Sequence, residues 1–131
     1  IAKIIEKIEK KNLKNILIFT EDIFLLFKKI KKNSIEEIFL LFPDPWPKAR
    51  HHKRRLLNIN FLELIYSFLK DEGRIFIATD SQTYIQLILY IIHKVRDFFI
   101  WENQRLEEWD YENLDLPETK FFKKADFSLP V

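Results

Sequence analysis

The chain has no cysteine, no methionine and a single glycine, Gly73, in 131 residues. Without cysteine it can form neither disulfides nor thiolate-ligated metal sites. With one glycine it cannot form the glycine-rich turn that follows the first strand of a nucleotide-type fold. Long hydrophobic runs are also missing: Tyr84 to Val95 is too short to span a bilayer, and Gln86 and His93 interrupt it. No signal-peptide pattern is visible, so the expected location is cytoplasmic, with no membrane partner. Charge of one sign is not in excess: 22 Lys+Arg stand against 20 Asp+Glu, a net charge of +2. An argument for a polyanionic partner must therefore come from local clustering.

Such a cluster exists. Residues 42–55 read Phe-Pro-Asp-Pro-Trp-Pro-Lys-Ala-Arg-His-His-Lys-Arg-Arg. Pro43, Pro45 and Pro47 fix φ and remove three backbone donors. Each also pushes the preceding residue toward extended geometry. Asp44 is therefore expected on a stiff loop, beside the flat ring of Trp46. Lys48, Arg50, Lys53, Arg54 and Arg55 then follow with His51 and His52, enough local charge to grip a polyanion. The apolar segment Glu37 to Phe42 reads as a buried strand delivering this loop. In open α/β sheets, ligands bind beyond the C-terminal ends of strands. The two histidines have no third metal ligand nearby, and no metal is expected.

Along the chain, Ile1, Ile4, Ile5 and Ile8 form a helical stripe. Asn15 to Thr20 reads as a strand. Asp22 then stands where it would cap a helix carrying Ile23, Leu26, Phe27 and Ile30. After the proline loop, a helix from about Arg54 is expected with Leu57, Phe61, Leu64, Ile65 and Phe68 on one face. Gly73 would terminate that helix. Arg74 to Thr79 is the next strand, with Asp80 at its end, and Ser81 would cap a helix from Gln82 to about Lys94. Phe98 to Glu102 reads as a strand, Gln104 to Glu118 as a loop, Thr119 to Ala125 as a turn or short helix, and Phe127 to Val131 as a last strand. Alternating strands and helices predict an α/β sandwich with a mainly parallel sheet.

The fourteen-residue string resembles the signature of the bacterial tRNA (guanine-N7-)-methyltransferases, Phe-Pro-Asp-Pro-Trp-x-Lys-x-Arg-His-x-Lys-Arg-Arg, at every specified position. The resemblance implies a Rossmann-like class I methyltransferase fold, S-adenosylmethionine as methyl donor and tRNA as partner. It implies that Asp44 contributes to catalysis and to the cofactor site, and that Asp22 contacts the adenine end of the cofactor. Lys48 and Asp80 are implied to bind substrate. Residues Arg50, His51, His52, Lys53, Arg54 and Arg55 match the family's RNA-contact segment. Thr119, Lys120, Phe121 and Phe122 resemble a further substrate motif, Thr-x-(Phe/Tyr)-Glu, with Phe122 in place of the acid. Given the missing glycine turn and initiator residue, residues 1–131 are expected to be one partial methyltransferase domain, the C-terminal portion of a longer one. Two other readings are a non-catalytic RNA-binding remnant and an amino-methyltransferase acting on a nucleobase. The second rests on the loose similarity of Asp44-Pro45-Trp46-Pro47 to an Asp-Pro-Pro-Tyr tetrapeptide.

Overall fold

The sequence pattern builds a strand–helix–strand–helix unit in a computed structural model that describes residues 1–109 and 122–124. The order is α1 (Ala2–Lys10), α2 (Ile23–Phe27), β1 (Ile35–Leu41), α3 (Ile59–Tyr66), β2 (Leu69–Ala78) and α4 (Gln82–Lys94). Short 3-10 turns occupy Ala49–Arg54, Leu106–Trp109 and Phe122–Lys124, the last within the expected Thr119 to Ala125 turn. The expected strand Phe127 to Val131 lies outside the described residues. Contacts divide the chain into Ile1–Lys31 and Lys32–Val131.

In the first unit, α1 presents the isoleucine stripe, with Lys7 and Lys10 in its last turn, where cations suit the helix dipole. Asp22 caps α2, its carboxylate accepting from the Phe24 N–H at 2.9 Å. The expected strand over Asn15 to Thr20 is absent. Leu17 is 99% exposed, and the segment pairs with no strand among the described residues. A strand's backbone groups need a ladder partner, and apolar character alone supplies none.

In the second unit, β1 and β2 pair in parallel, with Glu37 opposite Arg74 and Leu41 opposite Ala78. Phe39 and Phe76, opposite each other, stack with ring centroids 4.8 Å apart. The buried core comes mainly from the helices. Phe61, Leu62 and Ile65 of α3 are buried, as are Tyr84, Ile88 and Ile91 of α4, with Leu57, Phe68, Leu69 and Val95. Tyr84, Ile88, Ile91 and Val95 lie at the spacing of one helix face. The helix limits Gln82 to Lys94 agree with the sequence reading. Ser81 sits at the N-cap position but makes no side-chain cap bond, its Oγ lying 3.3 Å from Thr83 Oγ1.

Three expectations need correction here. The helix after the proline loop does not begin near Arg54. That segment is a 3-10 turn, Arg55 is extended, and α3 begins at Ile59. Asn58 sets the start, its side chain accepting from Phe61 N–H at 3.0 Å. Nor does Gly73 stop that helix. The helix ends at Tyr66, and β2 already runs from Leu69 through Gly73. Between the pairs Ile35–Leu69 and Glu37–Arg74, β2 advances five residues while β1 advances two. Glu72 takes the left-handed conformation of this bulge, with φ 62°. Gly73 is needed for space: a Cβ there would meet Lys70 O at 2.8 Å. Finally, Phe98 to Glu102 is not a strand. The N–H groups of Phe98 and Phe99 both turn back to Val95 O, at 2.9 and 3.1 Å, and Ile100 is exposed.

Candidate active site at the ends of the parallel strands

The parallel register brings two of the predicted acids to one end of the sheet. Leu41 pairs with Ala78, and Phe42 N–H donates to Ala78 O at 2.8 Å. Asp44 leaves β1 three residues after its last member, and Asp80 leaves β2 two residues after its last. Both carboxylates are exposed.

The Asp44 loop is bracketed by two residues in the left-handed region, Phe42 at φ 51° and Trp46 at φ 43°, where extended geometry was expected before Pro43 and Pro47. For residues other than glycine this conformation costs about 1–2 kcal/mol each. Such positions persist where surrounding structure over-determines them, and they concentrate at functional sites. Pro43, Pro45 and Trp46 are half-buried, so the exposed carboxylate of Asp44 projects from an apolar base.

The 3-10 turn that follows folds the basic segment back onto Trp46. The Arg54 guanidinium lies over the indole, 5.1 Å from the ring centre. The His51 ring meets the same indole edge-on at 5.6 Å. Lys48, Arg50, His52, Lys53 and Arg54 are exposed, and His51 is half-buried.

Arg55 departs from this pattern. Expected among the RNA contacts, it is instead only 7% exposed. Its Nε donates to Pro45 O at 2.6 Å and its Nη2 to Trp46 O at 3.4 Å. Its guanidinium lies 5.2 Å from the centre of the Tyr84 ring. Tyr84 is fully buried, and its hydroxyl accepts from Leu57 N–H at 3.3 Å. Burial pushes the Tyr84 phenol above its ordinary range, and the charge of Asp44 adds to that shift. The Leu57 hydrogen bond and the positive charge of Arg55 oppose it. Sequence reading missed the part Tyr84 takes in the site, because its place on the apolar stripe of α4 reads as core. Its hydroxyl was the available signal, since a buried phenol needs a partner.

Asp22 belongs to the first unit, where it caps α2. Thr119, Lys120 and Phe121 lie outside the described residues, and Phe122 begins the last 3-10 turn. Among the described residues, no group of three or more His, Asp or Glu side chains could hold a metal ion. No described helix is long and apolar enough to cross a membrane.

The fold and this site define an α/β protein whose candidate functional loops leave the C-terminal ends of adjacent parallel strands. Residues 1–127 match a family model described as "Putative methyltransferase". The chain belongs to this methyltransferase family, and its βαβ unit is part of a Rossmann-like α/β fold. Among curated proteins, it is 48% identical over 125 residues to a tRNA (guanine-N(7)-)-methyltransferase of Wolbachia pipientis wMel, covering 95% of this chain and 53% of that protein. A protein of the same name from Neorickettsia sennetsu is 37% identical over 107 residues, covering 79% of this chain and 49% of that protein. Another, from Buchnera aphidicola, is 42% identical over 97 residues, covering 73% and 40% respectively. The chain thus spans about half the length of the curated relatives it matches.

Proposed function

We propose that this chain is part of a tRNA (guanine-N7)-methyltransferase, in which residues 1–131 form one partial methyltransferase domain. The observation that carries the reading is the exposed carboxylate of Asp44, flanked by Pro43 and Pro45 beyond the end of β1 and followed directly by the exposed basic segment. S-Adenosylmethionine supplies, when bound, a methyl group on a positively charged sulfur. An exposed carboxylate on a half-buried base of proline and indole suits such a ligand, a cation carried on apolar carbons.

Guanine N7 has an in-plane lone pair and no proton, so the chain need not supply a general base. The new bond forms between N7 and the methyl carbon as the carbon–sulfur bond breaks, and the positive charge passes from sulfur to the purine. The chain's work is then positioning and charge stabilisation. Asp44 faces the charge developing on the purine and also contributes to the donor site. Asp80, leaving the neighbouring strand, and Lys48 orient the substrate, with Thr119, Lys120, Phe121 and Phe122 assigned to the same task. Arg50, His51, His52, Lys53 and Arg54 hold the tRNA backbone. The cytoplasm is the proposed location.

Nucleoside analysis of tRNA incubated with the full-length protein and labelled methyl donor tests this reading. The expected product is N7-methylguanosine, identified by its fixed positive charge. A methyl group on an exocyclic nitrogen would instead establish amino-methyl transfer. Tight tRNA binding with no methylated product would establish an RNA-binding remnant.

A further inference from the structure

Resting on that reading, we propose that Arg55 is the positioning residue of the Asp44 loop, clamped in place by Tyr84, rather than a contact to RNA. The last arginine of the basic run thus acts inward on the site, while the residues before it face the polyanion.

Three observations converge on this. The first is exposure: Arg50, His52, Lys53 and Arg54 are open to solvent, while Arg55 is 7% exposed. The second is the donor geometry. Nε and Nη2 reach the carbonyls of two successive residues, Pro45 and Trp46, directly after Asp44. Guanidinium offers several donors in one rigid fork, and a lysine ammonium in the same place would act as a single point charge. The loop needs outside donors because its three prolines have none of their own. The left-handed backbone at Trp46 is strained and needs an anchor, which its own carbonyl receives here.

The third observation is the support beneath. Tyr84 holds the 55–57 segment at two points, its ring against the Arg55 guanidinium and its hydroxyl on Leu57 N–H. It lies in the first turn of α4, four residues after Asp80. Arg55 therefore joins the loop bearing Asp44 to Tyr84, on the helix that follows Asp80. A buried arginine left without such partners would be strongly unfavourable. Here it is bonded to carbonyls and faces an aromatic ring, and its position is fixed by them.

The test compares Arg55→Lys with Arg50→Ala in the full-length protein. Arg55→Lys keeps the charge and loses the fork. It is expected to lower kcat by about 10- to 100-fold, since loop misplacement of about 1 Å can cost 10²-fold. Its tRNA affinity and salt dependence should stay at the wild-type level, while Arg50→Ala flattens the salt dependence. Weakened tRNA binding by Arg55→Lys with unchanged kcat would make Arg55 an RNA contact and overturn the proposal. Full activity in Arg55→Lys would overturn it equally.

A second readout needs no turnover. With Trp101, Trp109 and any further tryptophan of the full-length protein replaced by Phe, fluorescence reports Trp46 alone, and iodide quenching should rise in Arg55→Lys. Unchanged quenching would overturn the clamp. If the wild type methylates nothing, the functional reading fails while the quenching result still decides the role of Arg55. Should Arg55→Lys melt, Tyr84→Phe decides the matter. It removes one hydroxyl and should raise quenching and lower kcat about 5-fold, the effect of one hydrogen bond. Wild-type values for both would overturn the proposal.

Discussion

Phe42 donates its backbone N–H to Ala78 O at 2.8 Å, so the two parallel strands end together. That bond places the departures of Asp44 and Asp80 side by side, from segments 36 residues apart in sequence. The site is thus set by strand register, and what disturbs the register or the loops should disturb function.

The exposed basic residues should act additively on tRNA binding. Removing one phosphate contact lowers the slope of log K against log salt by about 1. Arg50→Ala and Lys53→Ala should each do so, and the double variant should lose about twice as much. Filter binding from about 50 to 200 mM salt, the range where such slopes are read, checks this. An unchanged slope would make the segment a solvated surface.

Alkaline stability should depend on Tyr84. The fold raises its pKa above the ordinary value of 10.0, chiefly through burial. A raised folded-state value means the contribution is complete below pH 10 and is lost as pH climbs beyond it. Thermal melts between neutral pH and strongly alkaline pH should show Tyr84→Phe losing less stability than wild type across that window. Equal losses would contradict the assignment.

Gly73→Ala should destabilise the bulge of β2. The new methyl would lie 2.8 Å from Lys70 O, a backbone atom that cannot turn aside, and 3.1 Å from Leu69 Cβ. Overpacking of this kind costs about 1–3 kcal/mol. Urea denaturation measures it, and a variant as stable as wild type would show that the bulge relaxes freely.

Much of this fold was legible where side-chain pattern and local backbone agree. The apolar run before the prolines gave β1, and the stripe of α4 gave its limits. The beginning of β2 was not legible, because Lys70-Asp71-Glu72-Gly73 has the composition of a helix stop. Only the pairing with β1 reveals a strand carrying a left-handed Glu72. The stretch Asn15 to Thr20 shows the converse, since strand-like composition without a neighbour leaves an exposed, unpaired segment. In the site, the proline-rich loop bearing Asp44 was legible, but the left-handed backbone of Phe42 and Trp46 before two of its prolines ran against the extended geometry expected there. The inward turn of Arg55 was not legible, since adjacent arginines in a charge run look alike until a 3-10 turn separates their directions.

The most direct test of the account is the single-turnover rate of methyl transfer by Asp44→Asn, with donor and tRNA both saturating. The substitution keeps shape and removes charge. If Asp44 stabilises the cationic purine, the rate should fall about 10²–10³-fold, the usual loss for one preorganised electrostatic contact. Affinities for tRNA and donor should change far less, because the interaction strengthens only as charge develops. A near-normal rate with a raised donor KM would contradict the claim and reduce Asp44 to an anchor for the methyl donor.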